Sequence, residues 1–258
     1  MAYDTLILER EGAVGIITLN RPPVHPFNYA AVDNLNKAVT ELENDKSIRA
    51  IIITGAGEKA FSAGFDIASF ADPMNVWISR YGHITYNKIE HNSKPIVAAI
   101  NGFALGGGCE LALSCHFRIM VDDPKAVIGL PEINLGIIPG WGGTQRLPRL
   151  IGRTRALEIA LMGRRINAKE AYDWGLVNKV SKPGEVLKDA KEWAVALSKR
   201  APLALKAILN SMILGLDTNM AAGLEIEMAG NEMVRASTDA REGMTAFMEK
   251  REAKFIGE

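Results

Sequence analysis

Two rhythms of apolar and polar residues share the first half of the chain. Short β-branched runs at Val14–Leu19, 51–54, Ile96–Ile100 and Phe117–Val121 are each bounded by Gly, Pro, Asn or Asp, which predicts strands. Between them Val32, Leu35, Val39 and Leu42 recur at steps of three and four, the mark of one apolar helix face, and 81–89 also fits a helix. After about Thr144 the pattern turns helical. Segments Arg153–Met162, 168–174, 185–201, 203–214, 220–236 and 238–254 all read as helices, with one short strand near 176–180. The expected organisation is a mixed α/β body over 1–200 and a helical region over 201–258. That region carries an apolar surplus between Met212 and Met233, which packs either on its own body or on another subunit.

Composition narrows the function classes. The 258 residues carry 30 Lys and Arg against 30 Asp and Glu, so the footprint of a dedicated nucleic-acid binder is missing. Two cysteines cannot build a disulfide framework and fit a reducing compartment. The start, Met-Ala-Tyr-Asp-Thr-Leu, lacks the apolar stretch of a signal peptide, and no apolar run reaches the length of a membrane span. A soluble cytoplasmic protein without membrane or nucleic-acid partners is expected.

Several motifs are negative. Gly55-Ala-Gly-Glu-Lys-Ala60 matches G-x-G-x-x-A, but 61–65 does not continue as the helix that a dinucleotide fingerprint needs. The four histidines and two cysteines have no metal-ligand spacing, and no G-x-S-x-G marks a serine nucleophile. The positive signal is Gly102-Phe-Ala-Leu-Gly-Gly-Gly-Cys-Glu110, which follows a predicted strand and leads into an apolar segment. A glycine run at a strand-to-helix junction leaves backbone N–H groups open to an anion or a developing oxyanion; it equally serves a turn that must pack closely. Glu110 sits at that helix start in apolar company, and Glu132 is the single acid of the apolar loop 128–140. Isolated carboxylates in apolar settings suggest a general acid/base pair.

Three segments carry a family likeness: Ala60-Phe-Ser-Ala-Gly-Phe-Asp-Ile67, Asn101-Gly-Phe-Ala-Leu-Gly-Gly-Gly-Cys-Glu110, and the run from Pro131-Glu-Ile-Asn through Gly140-Trp-Gly-Gly-Thr-Gln-Arg-Leu147. In order and spacing the chain resembles the crotonase (enoyl-CoA hydratase/isomerase) superfamily, nearly end to end. The resemblance implies a spiral of ββα turns with a C-terminal helical trimerisation region, assembled as a homotrimer or homohexamer. It implies that the N–H groups of Phe65 and Gly107 form an oxyanion hole and that Glu110 and Glu132 are catalytic. It also implies that Gly140 helps hold the water, and that Val24, Ala63, Asp66, Ile67, Leu105, Gly106, Pro131, Leu135 and Trp141 surround an acyl-CoA. Phe247 and Lys250 would meet the CoA of a neighbouring subunit; with Lys254 they are spaced to share one helix face.

The activity so implied is reversible addition of water to a 2-enoyl-CoA, without metal or redox cofactor, coenzyme A being part of the substrate. The alternatives are enoyl-CoA isomerisation or another acyl-CoA reaction on this fold, and a non-catalytic or RNA-binding role. Two acids favour hydration over isomerisation, which needs only one. The chain also departs from the common pattern: Ala68 stands where many hydratases have lysine, His25 and Pro26 interrupt the usual P-x-x-N-A-L run, and Phe65 and Trp141 are bulky. If both rings enter the acyl cavity, a short-chain preference follows.

Overall fold

A computed structural model describes residues 3–258; Met1 and Ala2, part of the start read above for a leader, lie outside the described residues. The chain opens with strands β1 (Leu6–Glu11) and β2 (Val14–Leu19) and helix α1 (Tyr29–Asn44). Then come β3 (Ala50–Gly55), β4 (Ala60–Ser62), α2 (Ile78–Glu90), β5 (Ile96–Ile100), β6 (Phe103–Leu105) and α3 (Gly107–Ser114). The third stretch holds β7 (Phe117–Val121), β8 (Val127–Gly129), α4 (Gly143–Ile151), α5 (Arg153–Met162), β9 (Arg165–Asn167), α6 (Ala168–Asp173) and β10 (Lys179–Ser181). Four helices close the chain: α7 (Val186–Ser198), α8 (Pro202–Leu216), α9 (Met220–Arg235) and α10 (Thr238–Glu249).

From β3 to β8, successive strands alternate between two sheets. One has the order β1-β2-β3-β5-β7-β10 and is parallel except for the β1–β2 hairpin; the other has the order β4-β6-β8-β9. The pairs β3/β4, β5/β6 and β7/β8 therefore each place one strand in either sheet, and the chain climbs as an α/β spiral of ββα turns. All six residues of β3 are buried, as a strand covered on both faces must be, which is why its apolar run is continuous. α7 crosses β2, β3, β5 and β7, while α1 packs on β1, β2 and α2. Val32, Leu35, Val39 and Leu42 form the buried stripe of α1, as their spacing predicts, and the Asn28 side chain caps the helix by accepting the Ala31 N–H.

The structure adds strands that the pattern did not reveal and ends two helices early, α7 at Ser198 and α10 at Glu249. β4, β6, β8 and β9 have three residues each, too few for a period. β1 is an edge strand whose charged Glu9, Arg10 and Glu11 obscure its alternation. α10 stops at Glu249, because Lys250 adopts a left-handed conformation (φ 56°) and ends the helix. Lys254 thus lies in the following tail, off the helix face shared by Phe247 and Lys250 in the sequence reading.

The apolar surplus of α8 and α9 stays largely uncovered: Met212, Leu216 and Met220 are exposed, as is Phe247 of α10. α8 and α9 pack on each other, and a Cβ on Gly215 would lie 3.6 Å from the Gly223 Cα. The C-terminal tail folds back onto the start of α10. There the buried Asp239 carboxylate accepts the N–H groups of Ile256 (2.7 Å) and Gly257 (2.9 Å), and the Arg49 guanidinium donates to the Phe255 carbonyl (2.8 Å). Asp239→Ala leaves both donors without that acceptor. It is expected to cost about 1–3 kcal/mol and to speed hydrogen exchange at the Ile256 and Gly257 amides, measured by NMR or mass spectrometry.

Candidate active site

The glycine run opens α3 by bringing two backbones unusually close. Gly64, at φ 85°, lies against the Gly106–Gly107 peptide; a Cβ there would sit 2.6 Å from the Gly107 nitrogen and 2.6 Å from the Leu105 carbonyl oxygen. Only glycine permits this approach. A Cβ on Gly107 would meet the Trp141 ring at 2.4 Å, and one on Gly108 the Ser62 carbonyl at 2.3 Å. Close packing and exposed N–H groups, the two readings of the run, therefore occur together.

The segment before Gly64 is held on its other side. Ala63 N–H donates to the Val24 carbonyl, Phe27 N–H to the Gly64 carbonyl and Asp66 N–H to the Phe27 carbonyl. The Ser62 hydroxyl donates to the His25 carbonyl, and Arg21 pairs with Asp66 at 2.6 Å. Burial pushes the His25 ring below its ordinary pKa, and its nitrogens meet the Arg21 N–H and the Ala56 carbonyl. Neither the Phe65 nor the Gly107 N–H donates to a protein acceptor among the described residues. Gly107 lies in the first turn of α3, where an N–H has no helical acceptor and sits at the positive end of the dipole. The Gly107 carbonyl, in contrast, accepts the Tyr86 hydroxyl at 2.9 Å.

Glu110 is 2% exposed, and its Oε1 accepts the N–H groups of Trp141 and Gly143, both at 2.8 Å. Burial raises its pKa, while these two hydrogen bonds and the Arg146 charge oppose the rise. Glu132 follows β8 in a 3₁₀ turn over Pro131–Leu135. It is also buried, but its Oε2 has no hydrogen-bond partner. Burial pushes the Glu132 carboxyl up to about 7, opposed by a hydrogen bond from its own backbone N–H and aided by the Glu110 charge. The two acids thus share a site while standing in opposite hydrogen-bonding environments.

Both carboxylates line one cavity of about 960 Å³. Ala63, Phe65, Ile67, Leu105, Gly106, Gly107, Pro131, Leu135, Gly140 and Trp141 line it too, so most of the anticipated residues converge. Val24 and Asp66 do not line it: the Val24 backbone and the Asp66 carboxylate, which also accepts the Ala68 N–H, brace the Phe65 segment. Phe247 instead lines a separate cavity between α7 and α10, and Lys250 lines neither. Sequence reasoning missed the walls supplied by Phe70, Val76, Ile78, Ile137 and Ile138, and it missed Arg165, the one cation lining the cavity among the described residues.

Trp141 does more than face the cavity. Its ring is 4% exposed and wedged between Gly82 and Gly107, and it meets Phe27 and Tyr86 edge to face with centroids 6.0 Å and 5.3 Å apart. The ring is a packed floor rather than a side chain projecting into open volume. No group of three or more His, Cys, Asp or Glu among the described residues is placed to hold a metal ion. No helix among them is long and apolar enough to cross a membrane.

The chain has known relatives. The sequence profile of the enoyl-CoA hydratase/isomerase family matches residues 9–258. The chain is 41% identical to a crotonyl-CoA hydratase of Syntrophomonas wolfei, covering 99% of both chains. It is 39% identical to a short-chain-enoyl-CoA hydratase of Clostridium acetobutylicum, covering 97% of both. Among solved structures, an enoyl-CoA hydratase from Bacillus anthracis superposes with a TM-score of 0.94 at 37% identity, covering 99% of this chain and all of that one. With the spiral, the glycine-built turn and both buried glutamates in place along the full match, the chain belongs to the enoyl-CoA hydratase/isomerase family.

Proposed function

We propose that the protein is an enoyl-CoA hydratase that reversibly adds water across the double bond of a 2-enoyl-CoA thioester. The observation that carries this reading is the pairing, in one cavity, of a caged carboxylate and an uncaged one beside two unengaged backbone N–H groups. Glu110, kept ionisable by its two N–H donors, takes a proton from water as the oxygen attacks the β-carbon. Electron density moves onto the thioester oxygen, where the Phe65 and Gly107 N–H groups stabilise the enolate, each donor being worth on the order of 10²–10³ in rate. Glu132, protonated near neutrality, delivers its proton to the α-carbon, and the conjugated double bond is consumed. Gly140, whose N–H is unengaged in the cavity wall, is suited to orient the water. Isomerisation would leave Glu110 without a task.

In this reading no metal or redox cofactor takes part, and coenzyme A enters as part of the substrate. Ala63, Ile67, Leu105, Gly106, Pro131, Leu135 and Trp141 contact the acyl-pantetheine portion, while Val24 and Asp66 act by bracing the Phe65 segment. The exposed apolar faces of α8 and α9 support a homotrimer or homohexamer, in which Phe247 and Lys250 reach a neighbour's CoA. The reading extends to a cytoplasmic reaction in fatty-acid metabolism, supported by the acyl-CoA chemistry of the matching family. Loss of the enoyl-thioester absorbance across a panel of 2-enoyl-CoA esters tests the assignment, and a wild-type protein inert on all of them would overturn it.

Glu110→Gln and Glu132→Gln are each expected to lower kcat by about 10²–10⁴ while leaving circular dichroism unchanged. Near-wild-type turnover in either variant excludes the two-carboxylate mechanism.

A pH effect on stability follows from Glu132. Its folded carboxyl, at about 7, lies above the ordinary value of about 4.3, so the native state holds a proton that the unfolded chain has already released. The contribution is present at pH 4 and lost as pH rises through 7, an amount of at most about 4 kcal/mol. Glu132→Gln cannot ionise, so relative to wild type it is expected to gain stability from pH 5 to pH 8. Denaturant unfolding at fixed protein concentration measures this, and parallel curves for the two proteins would count against it.

A preference for short acyl groups is supported by the names of the two bacterial relatives rather than by the Trp141 ring, which is packed into the core. The expected result is that kcat/KM falls steadily from four- to eight- to sixteen-carbon enoyl-CoA esters. Trp141→Ala, which opens the core beneath Gly107, is expected to cost about 3–5 kcal/mol rather than to extend the chain range. An optimum at sixteen carbons contradicts the short-chain reading.

A further inference from the structure

Arg146 is a buried cation that does not line the catalytic cavity, and every bond it makes serves one turn. Its backbone sits at the start of α4, three residues past the Trp141–Gly143 segment that cradles Glu110, and the residue is 7% exposed. Burying a guanidinium is costly unless its donors are matched. Here Nε and Nη2 donate to Glu90 Oε2 at 2.9 and 2.7 Å, Nη2 also donates to Asn87 Oδ1 at 2.6 Å, and Nη1 donates to the Trp141 carbonyl at 2.8 Å. Glu90 and Asn87 both belong to α2, so the guanidinium ties the turn to a separate element.

The turn itself is shaped around that side chain. Gly142 has φ 110°, and a Cβ there would fall 2.0 Å from Arg146 Nη1, so the glycine and the guanidinium occupy adjoining space that no larger residue could share. The Gly142 carbonyl in turn accepts the N–H groups of Gln145 and Arg146. The Trp141 carbonyl is held from behind by Arg146, and from the front of the same turn the Trp141 and Gly143 N–H groups converge on Glu110 Oε1.

We propose that Arg146, anchored on Glu90 and Asn87, is a positioning residue for Glu110: it locks the Trp141–Gly143 turn and so sets both the aim and the charge state of that carboxylate. The proposal rests on the reading of Glu110 as the base that activates water. Four groups bear directly on Glu110's charge: Tyr86 of α2, Cys109 beside it on α3, Glu132 after β8, and Arg146 of α4; Glu90 of α2 reaches it only as the anion paired with Arg146. Tyr86 and Cys109 are held neutral by burial. Arg146 is the one cation of the set, and its charge favours ionised Glu110. Glu90 partly offsets that charge.

Three variants separate aim from charge. Arg146→Gln removes both and is expected to lower kcat by about 10–100-fold, to change KM by less than about threefold, and to move the acid limb of kcat/KM up by about one pH unit. Arg146→Lys keeps the charge without the planar fork, so kcat falls while the acid limb stays. Glu90→Gln keeps an acceptor for Arg146 but removes the offsetting anion, so the limb moves down; a merely structural role gives no such opposed pair of shifts. If Arg146→Gln does not fold, the Arg146→Lys and Glu90→Gln pair decides alone. Alongside activity, the ¹³C carboxyl signal of Glu110, identified by its loss in Glu110→Gln, reports the titration directly in the full-length assembled protein. Wild-type kcat in folded Arg146→Gln overturns the proposal, as does an unmoved Glu110 titration in both Arg146→Gln and Glu90→Gln. Wild-type protein inert on every enoyl-CoA, with the Glu110 titration still shifting as expected, refutes the hydratase assignment and leaves the positioning role standing.

Discussion

A carboxylate buried at the start of an apolar helix imposes the terms that the surrounding structure meets. Glu110 lies among Cys109, Leu111 and Leu113, where ionisation in a dry setting is strongly disfavoured without donors. The donors come from a turn about thirty residues later in the chain, through Trp141 and Gly143. That turn can face Glu110 only if α4 docks on α3, and its back is closed by a second buried charge that must itself be paired on α2. One buried acid thereby fixes the mutual placement of three helices.

The spiral explains how distant segments reach one point. β4, β6 and β8 are neighbouring parallel strands of the smaller sheet, so their C-terminal ends lie side by side. The chain leaving β4 carries Phe65, the chain leaving β6 carries Gly107, and the chain leaving β8 carries Glu132. Each of these strands has only three residues, yet all are paired, and together they arrange a site that no single ββα turn could build. The larger sheet, with its fully buried β3 and β5, supplies the rigid body on which they rest.

Much of this was legible in the chain, for identifiable reasons. Buried parallel strands such as β3 announce themselves as unbroken apolar runs, and α1 as a regular stripe, because burial on two faces or one imposes those patterns. The glycine run and the two isolated acids were visible because their residue types conflict with apolar surroundings. The short strands were not, since three residues cannot express a period, and β1 was masked by edge charges. The end of α10 turned on Lys250 adopting a left-handed conformation, for which lysine carries no signal. Arg146 stood inside a recognised motif, but its role depends on Glu90 and Asn87, fifty-odd residues away, and only the folded chain brings them together. Trp141 lines the cavity, as the resemblance implied; what the sequence withheld was Gly82, whose absent side chain makes room for the ring in the core.

The same cavity divides into parts with different physical origins. At its floor lie the backbone N–H groups of the glycine-built turn and two acids; glycine contacts fix the turn and buried hydrogen bonds fix Glu110, while Glu132 Oε2 has no hydrogen-bond partner. Its walls are apolar side chains, such as Ile67, Phe70, Val76 and Ile138, that come from short 3₁₀ turns or loops and are themselves largely exposed. Substitution in the floor disturbs packing across several elements at once, as the clash of any Cβ at Gly64 or Gly107 makes plain. Substitution in the walls changes volume and polarity with little consequence for the core. Chemistry and acyl preference are therefore separable in this architecture: the buried floor ties the reaction to the fold, while the exposed walls leave the accepted acyl group free to vary.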